Sequence, residues 1–325
     1  MKKIIIMSTK GGVGKTMLAT YITAKAALLK KISCIIDLDT YGPSHTTILS
    51  PDENKAEHRE YRNLESWIGY SREMEVPETL VDYYLHPAKI RWISKYKDFY
   101  SIPLYPGTFT LTRMNLMLAS KGGVIRVINR LKKLFQILEE KKFDFVIIDM
   151  APGIYLGPAQ LFKFFTSDED SIILYVGNMT DGDLLASIYD LDWIFAEAAS
   201  FEIKSNFKWV FNKVPKSRWH NKKKIQLDEI LTPLKKNLWQ EVRNHKNLDG
   251  LNYLCRLLTT IPLDADRLFQ NKLSEVYTIP FDGNVGNAMA DTTPSGQKKL
   301  WDKYLLNPKT SIGKALENIS ESILK

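Results

Sequence analysis

The chain has 325 residues, of which 44% are apolar, and can therefore bury a large core. Lys and Arg outnumber Asp and Glu by 45 to 37, which makes the chain moderately basic. Its two cysteines, Cys34 and Cys255, lie far apart without Cys-x-x-Cys spacing, which argues against a structural zinc or an iron–sulfur cluster held within one chain. With no run of 18 apolar residues and no signal-peptide profile, we expect a soluble, cytoplasmic protein.

The first predicted strand leads into a glycine-rich loop. The β-branched run Ile4–Ile6 predicts a buried strand, and the residues from Met17 onward have the composition of a helix. A glycine-rich turn in this context lets successive backbone N–H groups surround an anion at the helix N-terminus. Lys15 would face the β- and γ-phosphates, and the Thr16 hydroxyl would bind Mg²⁺. The predicted nucleotide-binding residues are Gly11, Gly12, Val13, Gly14, Lys15, Thr16 and Met17.

The glycine-rich loop is a predicted P-loop, and Lys10, just before its first glycine pair, distinguishes it from generic P-loops, which do not need a lysine there. The sequence Lys-Gly-Gly-Val-Gly-Lys-Thr, from Lys10 to Thr16, resembles the deviant Walker A motif of the ParA/MinD family of P-loop ATPases, in the SIMIBI class. In that family the first lysine reaches across a dimer to the partner's nucleotide. The resemblance therefore implies a catalytic role for Lys10 in trans, and a solvated lysine at the loop edge is the alternative.

Two acids end the second predicted strand, at Asp37 and Asp39. Residues i and i+2 of a strand share a face, and ligands of parallel α/β sheets lie beyond the carboxyl ends of the strands. Two carboxylates beside the phosphates call for a cation, so we predict Mg²⁺ at Asp37. The resemblance implies that Asp39 orients the attacking water. The segment from Asp37 to Ser44 also resembles the switch of the Mrp-type branch, which carries iron–sulfur clusters, but the paired cysteines are absent here.

The middle of the chain supplies a second acid for the magnesium site. A polar insertion is expected around residues 50–78, a third strand begins at Tyr100, and apolar spacing over residues 124–138 predicts an amphipathic helix. The run from Phe145 to Asp149 matches a Walker B strand, whose Asp149 would bind Mg²⁺ through water. Residues 151–153, Ala-Pro-Gly, resemble the family's switch turn, which couples the γ-phosphate to the dimer face.

The adenine site is expected after two later strands. Residues 171–176 and 208–214 predict strands, and Asn212 ends the second of them. In the family such an asparagine reads the adenine edge, because a side-chain amide both donates and accepts hydrogen bonds; a turn asparagine is the alternative. The sequence Thr-Thr-Ile-Pro-Leu-Asp at residues 259–264 resembles the family's last strand and adenine-flanking loop, which makes Pro262 and Asp264 nucleotide-binding candidates.

Excess positive charge is concentrated between Phe201 and Gly250, which contain 12 Lys and Arg against 5 Asp and Glu. A basic helical segment of this kind is typical of surfaces that bind the phosphates of nucleic acids. In the ParA/MinD family, ParA relatives bind DNA non-specifically when ATP is bound. An ordinary solvated face is the alternative. The candidate DNA-binding residues are Arg218, Lys222, Lys223 and Lys224.

The C-terminal residues predict a helix with one apolar face, formed by Ile312, Leu316, Ile319 and Ile323. MinD relatives end in a membrane-binding helix, but the charges here are nearly balanced, so we expect this helix to pack on the sheet rather than on a membrane.

Together these features predict one α/β domain over residues 1–325, a single doubly wound, mostly parallel sheet flanked by helices. By resemblance its cofactors are ATP and Mg²⁺. The chain would form an ATP-dependent homodimer that binds non-specific DNA and an activating protein, associated with the nucleoid. The alternatives are a carrier or assembly scaffold of the Mrp type, a membrane-positioning ATPase like MinD, and a metabolic ligase on the same fold.

Overall fold

The computed structural model describes residues 1–40, 48–51, 64–69, 84–90, 99–102, 117–153, 156–178, 205–214, 276–290 and 293–325. Within them nine strands form one sheet. The strands are β1 Lys2–Met7, β2 Ser33–Leu38, β3 Leu49–Pro51, β4 His86–Ile90, β5 Phe99–Ile102, β6 Phe145–Met150, β7 Ser171–Asn178, β8 Asn206–Val214 and β9 Val276–Pro280. The described helices are α1 Lys15–Leu28, α2 Leu64–Gly69, α3 Lys121–Glu140, α4 Leu156–Thr166, α5 Gly283–Ala290, α6 Pro294–Lys299 and α7 Ser311–Ile323, and a π-helical segment, Leu300–Leu305, continues α6.

The sheet is mostly parallel, as the sequence predicted. Its strand order is β3-β4-β5-β2-β6-β1-β7-β8-β9, and only β4 runs antiparallel to its neighbours. Strands β2 to β6 all lie on one side of β1, and strands from β7 onward lie on the other. The strand order therefore reverses at β1, which makes β1 a topological switch point. Ligands of open α/β sheets bind beyond the carboxyl ends of the strands at such a point.

Apolar side chains fill both faces of the sheet, because each central strand is buried on both sides. Ile5 of β1 belongs to the hydrophobic cluster that includes Leu131 of α3 and Phe165 of α4. The alternate residue Ile4 belongs to the opposite cluster, with Ile22 of α1 and Leu316 of α7. This arrangement fixes the two layers of helices and leaves the carboxyl edge of the strands for a site.

The C-terminal helix α7 packs on the sheet, as expected. Its four predicted apolar residues are all buried, and the helix contacts β9 and α1. Thr310 caps it by accepting a 3.0 Å hydrogen bond from the Gly313 N–H. Lys25 of α1 forms a 2.7 Å ion pair with Glu317 of α7. No helix in the described part of the chain is long and apolar enough to cross a membrane.

The position of the last strand differs from the sequence expectation. The last strand in chain order is β9 at Val276–Pro280, later than residues 259–264, which lie outside the described residues. Most of the expected polar insertion around residues 50–78 lies outside the described residues, but within it Leu64, Trp67 and Ile68 of helix α2 are buried in the core against α3. Their spacing of three and four residues puts them on one helical face, a short pattern among charged neighbours.

Candidate nucleotide-binding site

The loop after β1 forms an uncapped helix N-terminus at the switch point. Gly12 and Gly14 have φ of 72° and 97°, a left-handed conformation that side chains disfavour. Gly14 is the N-cap of α1 and offers no side-chain cap to the first N–H groups of the helix. These N–H groups remain available for an anion. Lys15, the first helical residue, is buried although it is charged, as expected for a lysine turned into an anion site.

The N-terminal half of the loop is braced by three hydrogen bonds. The Ser8 hydroxyl donates to the Lys10 carbonyl at 2.7 Å, and the Gly153 N–H donates to the Ser8 carbonyl at 2.8 Å. The Thr9 hydroxyl is hydrogen-bonded to the hydroxyl of Tyr175, a fully buried residue of β7. The predicted switch turn therefore contacts the P-loop directly through Gly153, whose own φ is 89°.

Two carboxylates meet beside the loop at the carboxyl ends of adjacent strands. Asp37 of β2 and Asp149 of β6 are register partners and are 2% and 0% exposed. Asp149 accepts a 2.6 Å hydrogen bond from the Thr16 hydroxyl, and Asp37 accepts a 2.9 Å bond from the Asp39 N–H. The structure thus brings together the three residues predicted to bind Mg²⁺.

These oxygen donors fit Mg²⁺. Two buried carboxylates on adjacent strands are costly without a cation, and Mg²⁺ prefers carboxylate and hydroxyl oxygens. Among the described residues no group of three His, Cys, Asp or Glu could hold a metal by itself. A cation here would therefore rely on Asp37, Asp149, Thr16, water and the phosphates, which is the usual arrangement for Mg²⁺ at a nucleotide.

The two other predicted catalytic residues lie at the edges of this site. Lys10 is exposed at the start of the glycine turn, and Asp39 is partly buried just beyond β2. Because a single chain is described, the reach of Lys10 to a partner's nucleotide stays a prediction, as does the water-orienting role of Asp39.

A cavity of about 330 Å³ adjoins the P-loop on the β8–β9 side. Most of its lining is apolar, and its polar side chains come from the end of β8 and the loop after β9. The lining residues are Gly12, Gly14, Met17, Asn212, Lys213, Ile279, Pro280, Phe281, Asp282, Val285, Leu305 and Ile312. The volume and the apolar walls suit a nucleoside whose phosphates lie in the loop.

Asn212 has a structural role that the sequence did not predict. Its Nδ2 donates to the Val13 carbonyl at 2.7 Å, and its Oδ1 accepts from the Lys213 N–H at 2.8 Å. A Cβ on Gly14 would lie 2.6 Å from the same Nδ2, so the third glycine of the loop is required for this contact. Nδ2 keeps a second hydrogen and Oδ1 a second lone pair, and adenine recognition by Asn212 stays a prediction.

The loop that follows β9 was missed in the sequence. Pro262 and Asp264 lie outside the described residues, whereas Pro280, Phe281 and Asp282 line the cavity. The sequence Thr-Ile-Pro-Phe-Asp at 278–282 nearly repeats Thr-Ile-Pro-Leu-Asp at 260–264. The later copy pairs with β8, whereas the earlier copy lies outside the described residues, and the duplication itself was the available signal.

The roles of the remaining predicted site residues stay predictions. Gly11 is exposed within the glycine turn, and Met17 lines the cavity beside the P-loop. The basic candidates Arg218, Lys222, Lys223 and Lys224 all lie outside the described residues.

Comparison with known proteins finds one similar family by sequence and several solved structures with a similar fold. The ParA family model, described as NUBPL iron-transfer P-loop NTPase, matches residues 1–74, which include the P-loop and Asp37. No protein of curated function matches the chain by sequence.

Solved structures with the same fold cover nearly the whole chain at low identity. A putative plasmid partition protein from Borrelia burgdorferi B31 bound to AMPPNP is 15% identical, with a TM-score of 0.56 over 99% of this chain and 98% of that one. A ParA family ATPase from Chlorobium tepidum TLS is 15% identical, with a TM-score of 0.55 over 98% of each chain. The cell division ATPase MinD of Pyrococcus furiosus is 14% identical, with a TM-score of 0.53 over 99% and 98%.

The sheet order, the glycine loop and the paired carboxylates define the doubly wound fold of the P-loop NTPases. Within that class, the resemblance to the ParA/MinD family of deviant Walker A ATPases is confirmed, by the family model over residues 1–74 and by the fold over the whole chain.

Proposed function

We propose that this chain is a Mg²⁺-dependent ATPase that closes into a homodimer around two ATP molecules and acts as a DNA-associated switch for partitioning or positioning a cargo. One observation supports the chemistry most strongly. The buried Asp37–Asp149 pair and the Thr16 hydroxyl lie beside an uncapped helix N-terminus that carries a buried lysine. This set of groups suits a magnesium-bound polyphosphate better than any other ligand class.

In the proposed reaction, water attacks the γ-phosphate in line with the departing ADP. The backbone N–H groups of the loop and the ammonium of Lys15 stabilise charge on the phosphoryl oxygens as it develops. Asp39 orients the water, and Lys10 of a second copy supplies further positive charge across the dimer. Mg²⁺, when bound, neutralises charge on the phosphates.

The contact between the switch turn and the loop gives the proposed switch a physical route. Gly153 donates to the Ser8 carbonyl, and the Ser8 hydroxyl in turn holds the Lys10 carbonyl. Movement of this turn when γ-phosphate is lost would therefore displace the backbone at Lys10. Hydrolysis would in this way loosen the dimer.

The proposed DNA association rests on the basic segment at residues 201–250, where most of the chain's excess positive charge is concentrated. The candidate DNA-binding residues there are Arg218, Lys222, Lys223 and Lys224. The protein of similar fold from B. burgdorferi is a putative plasmid partition protein, which fits an ATPase that works on DNA. Dimerisation would place two basic segments on one particle, so ATP would raise DNA affinity through avidity.

A carrier or assembly scaffold is the second candidate function, favoured by the family model's description as an iron-transfer NTPase. Cys34 cannot present a cluster, since it is fully buried in β2 and burial raises the pKa of its thiol far above the ordinary value. Cys255, outside the described residues, would be the only thiol left in each chain. A MinD-like membrane function is less favoured, because the apolar face of α7 is buried against the sheet.

The rate of ATP hydrolysis with and without duplex DNA tests the proposal. We expect DNA to bind the ATP-loaded protein and to change the rate, and Lys222→Glu/Lys223→Glu/Lys224→Glu to abolish binding while sparing nucleotide affinity. Each lost phosphate contact should lower the salt slope of binding by about 0.9. A triple variant that binds with the parent's slope would remove DNA from the account. Iron retained across an anaerobically purified dimer would favour the carrier.

A further inference from the structure

Two consecutive residues at the end of β8 hold two consecutive carbonyls of the P-loop. Asn212 Nδ2 donates to the Val13 carbonyl at 2.7 Å, and Lys213 Nζ donates to the Gly12 carbonyl at 3.1 Å. Consecutive residues of a regular strand point to opposite faces of the sheet, so an ordinary strand end could not present both side chains to one loop. Here the ladder between β8 and β9 shifts register between Phe211 and Val214.

The backbone at Lys213 is in a left-handed conformation, with φ of 55°. Among described residues other than glycine, only Lys30 and Lys142 share this feature. Both follow helices, where a left-handed residue is an ordinary way to end the helix, and their N–H groups bond the Ala27 and Glu139 carbonyls. Lys213 instead lies within the last two residues of strand β8, and its strained conformation turns its side chain onto the P-loop.

The two hydrogen bonds from Asn212 and Lys213 fix the orientation of the loop's N–H groups. In a planar trans peptide the C=O and the following N–H point in opposite directions. A donor that holds the Gly12 carbonyl from outside therefore aims the Val13 N–H inward, and Asn212 does the same for the Gly14 N–H. The ammonium of Lys213 also polarises the peptide it holds, which strengthens that N–H as a donor to an anion.

We propose that Lys213 is a positioning residue for nucleotide binding, which preorganises the P-loop through the Gly12 carbonyl. The proposal deepens the proposed ATPase function and rests on it. Because Asn212 and Lys213 also line the nucleoside cavity, the same two side chains border the base and hold the phosphate loop. Filling the cavity would therefore stabilise the loop, and phosphate and base recognition would be coupled.

The test compares Lys213→Met, which keeps the aliphatic stem and removes the ammonium, with the parent. Affinities are measured by calorimetry for MgATP and for inorganic tripolyphosphate with Mg²⁺, a ligand without a base. We expect both affinities to fall about tenfold, because one charge-assisted hydrogen bond is lost. Lys213→Arg should restore most of the loss. Lys142→Met is the matched control, since it removes another exposed left-handed lysine far from the P-loop and should change neither affinity.

The unfolding midpoint without ligand separates positioning from general stability, and we expect Lys213→Met and Lys142→Met to remain close to the parent. Unchanged affinities in Lys213→Met would overturn the inference. Loss for ATP alone, with tripolyphosphate unaffected, would also overturn it, because the residue would then act on the nucleoside. A parent protein that binds no MgATP would instead overturn the proposed function on which the inference rests.

Discussion

Thr16 and Asp149 lie 133 residues apart, and the hydroxyl of one donates to the carboxylate of the other at 2.6 Å. This contact joins the first turn of α1 to the end of β6. It places the two residues beside Asp37, the register partner of Asp149 on β2, so the three residues predicted to bind Mg²⁺ lie together.

Asp149→Asn should remove the Mg²⁺ dependence of ATP binding. The substitution keeps the shape of the side chain but removes the charge that would compensate the cation. We expect ATP affinity in Mg²⁺ to fall at least about tenfold, to the value that the parent shows in EDTA. Asp170→Asn, an exposed change at the turn before β7, should leave the Mg²⁺ effect intact. A variant that still gains affinity with Mg²⁺ as the parent does would exclude Asp149 from the site.

Gly14→Ala should destabilise the unliganded protein by about 1–3 kcal/mol. Alanine would have to adopt the left-handed backbone conformation of Gly14, and its Cβ would clash with the Asn212 amide. Displacing that amide breaks its bond to the Val13 carbonyl. Gly11→Ala is the matched control: its Cβ meets nothing within 4 Å, and we expect a change within about 0.5 kcal/mol. Urea unfolding without nucleotide measures both. Equal stabilities for the two variants would contradict the described packing of Asn212 on the loop.

The ion pair of Lys3 with Asp168, 2.8 Å long, predicts a small acid-sensitive contribution to stability. Burial by itself raises the pKa of Asp168. The hydrogen bond and charge of Lys3, with hydrogen bonds from Asp170 and Ser171, lower the pKa by more than burial raises it, so the pKa lies below its ordinary value. A carboxyl whose folded pKa is depressed contributes stability above its unfolded pKa, near 4, and loses it as pH falls through the folded pKa.

Asp168→Asn should therefore lower the free energy of unfolding at pH 7 by at most about 1 kcal/mol, because the pair is partly exposed. Near pH 2–3 the difference from the parent should shrink. Thermal unfolding at several pH values checks this, and a difference that grows on acidification would contradict the assigned direction.

Sequence alone was sufficient for the parts of the fold that depend on local pattern. Each central strand of a parallel sheet is buried on both faces, so Ile4–Ile6 and the run before Asp149 appear as uninterrupted apolar segments. The glycine loop was equally evident, because its spacing follows directly from the geometry of anion binding. The acids at the strand ends then followed from the rule that ligands lie beyond the carboxyl ends.

Other parts depend on contacts distant in sequence. The bracing role of Asn212 joins residues 199 positions apart, and no local pattern encodes it. Two nearly identical segments, ending at Asp264 and Asp282, offered the same local signal for the base loop. Only the pairing of β9 with β8 distinguishes the later one as part of the cavity.

Lys10→Ala should leave ATP binding by the monomer unchanged within about twofold, since the proposed target of Lys10 is the partner's nucleotide. Hydrolysis should fall by about 100-fold, the usual effect of removing one group that stabilises transition-state charge. Lys121→Ala, at the exposed start of α3, is a control for the loss of a surface charge. Equilibrium binding and phosphate release measure the two quantities. Parent-like hydrolysis by Lys10→Ala would show that this lysine is only a solvated loop residue.

The ATP-sandwich dimer is the central claim, and the Asp39→Ala variant tests it most directly. Without the residue that orients water, ATP should bind and persist, so the closed dimer should accumulate. Light scattering in ATP and Mg²⁺ should then give twice the 37.4 kDa mass of the chain, and the monomer mass in ADP. A variant that binds ATP, hydrolyses it slowly and remains a monomer at every concentration would contradict the account.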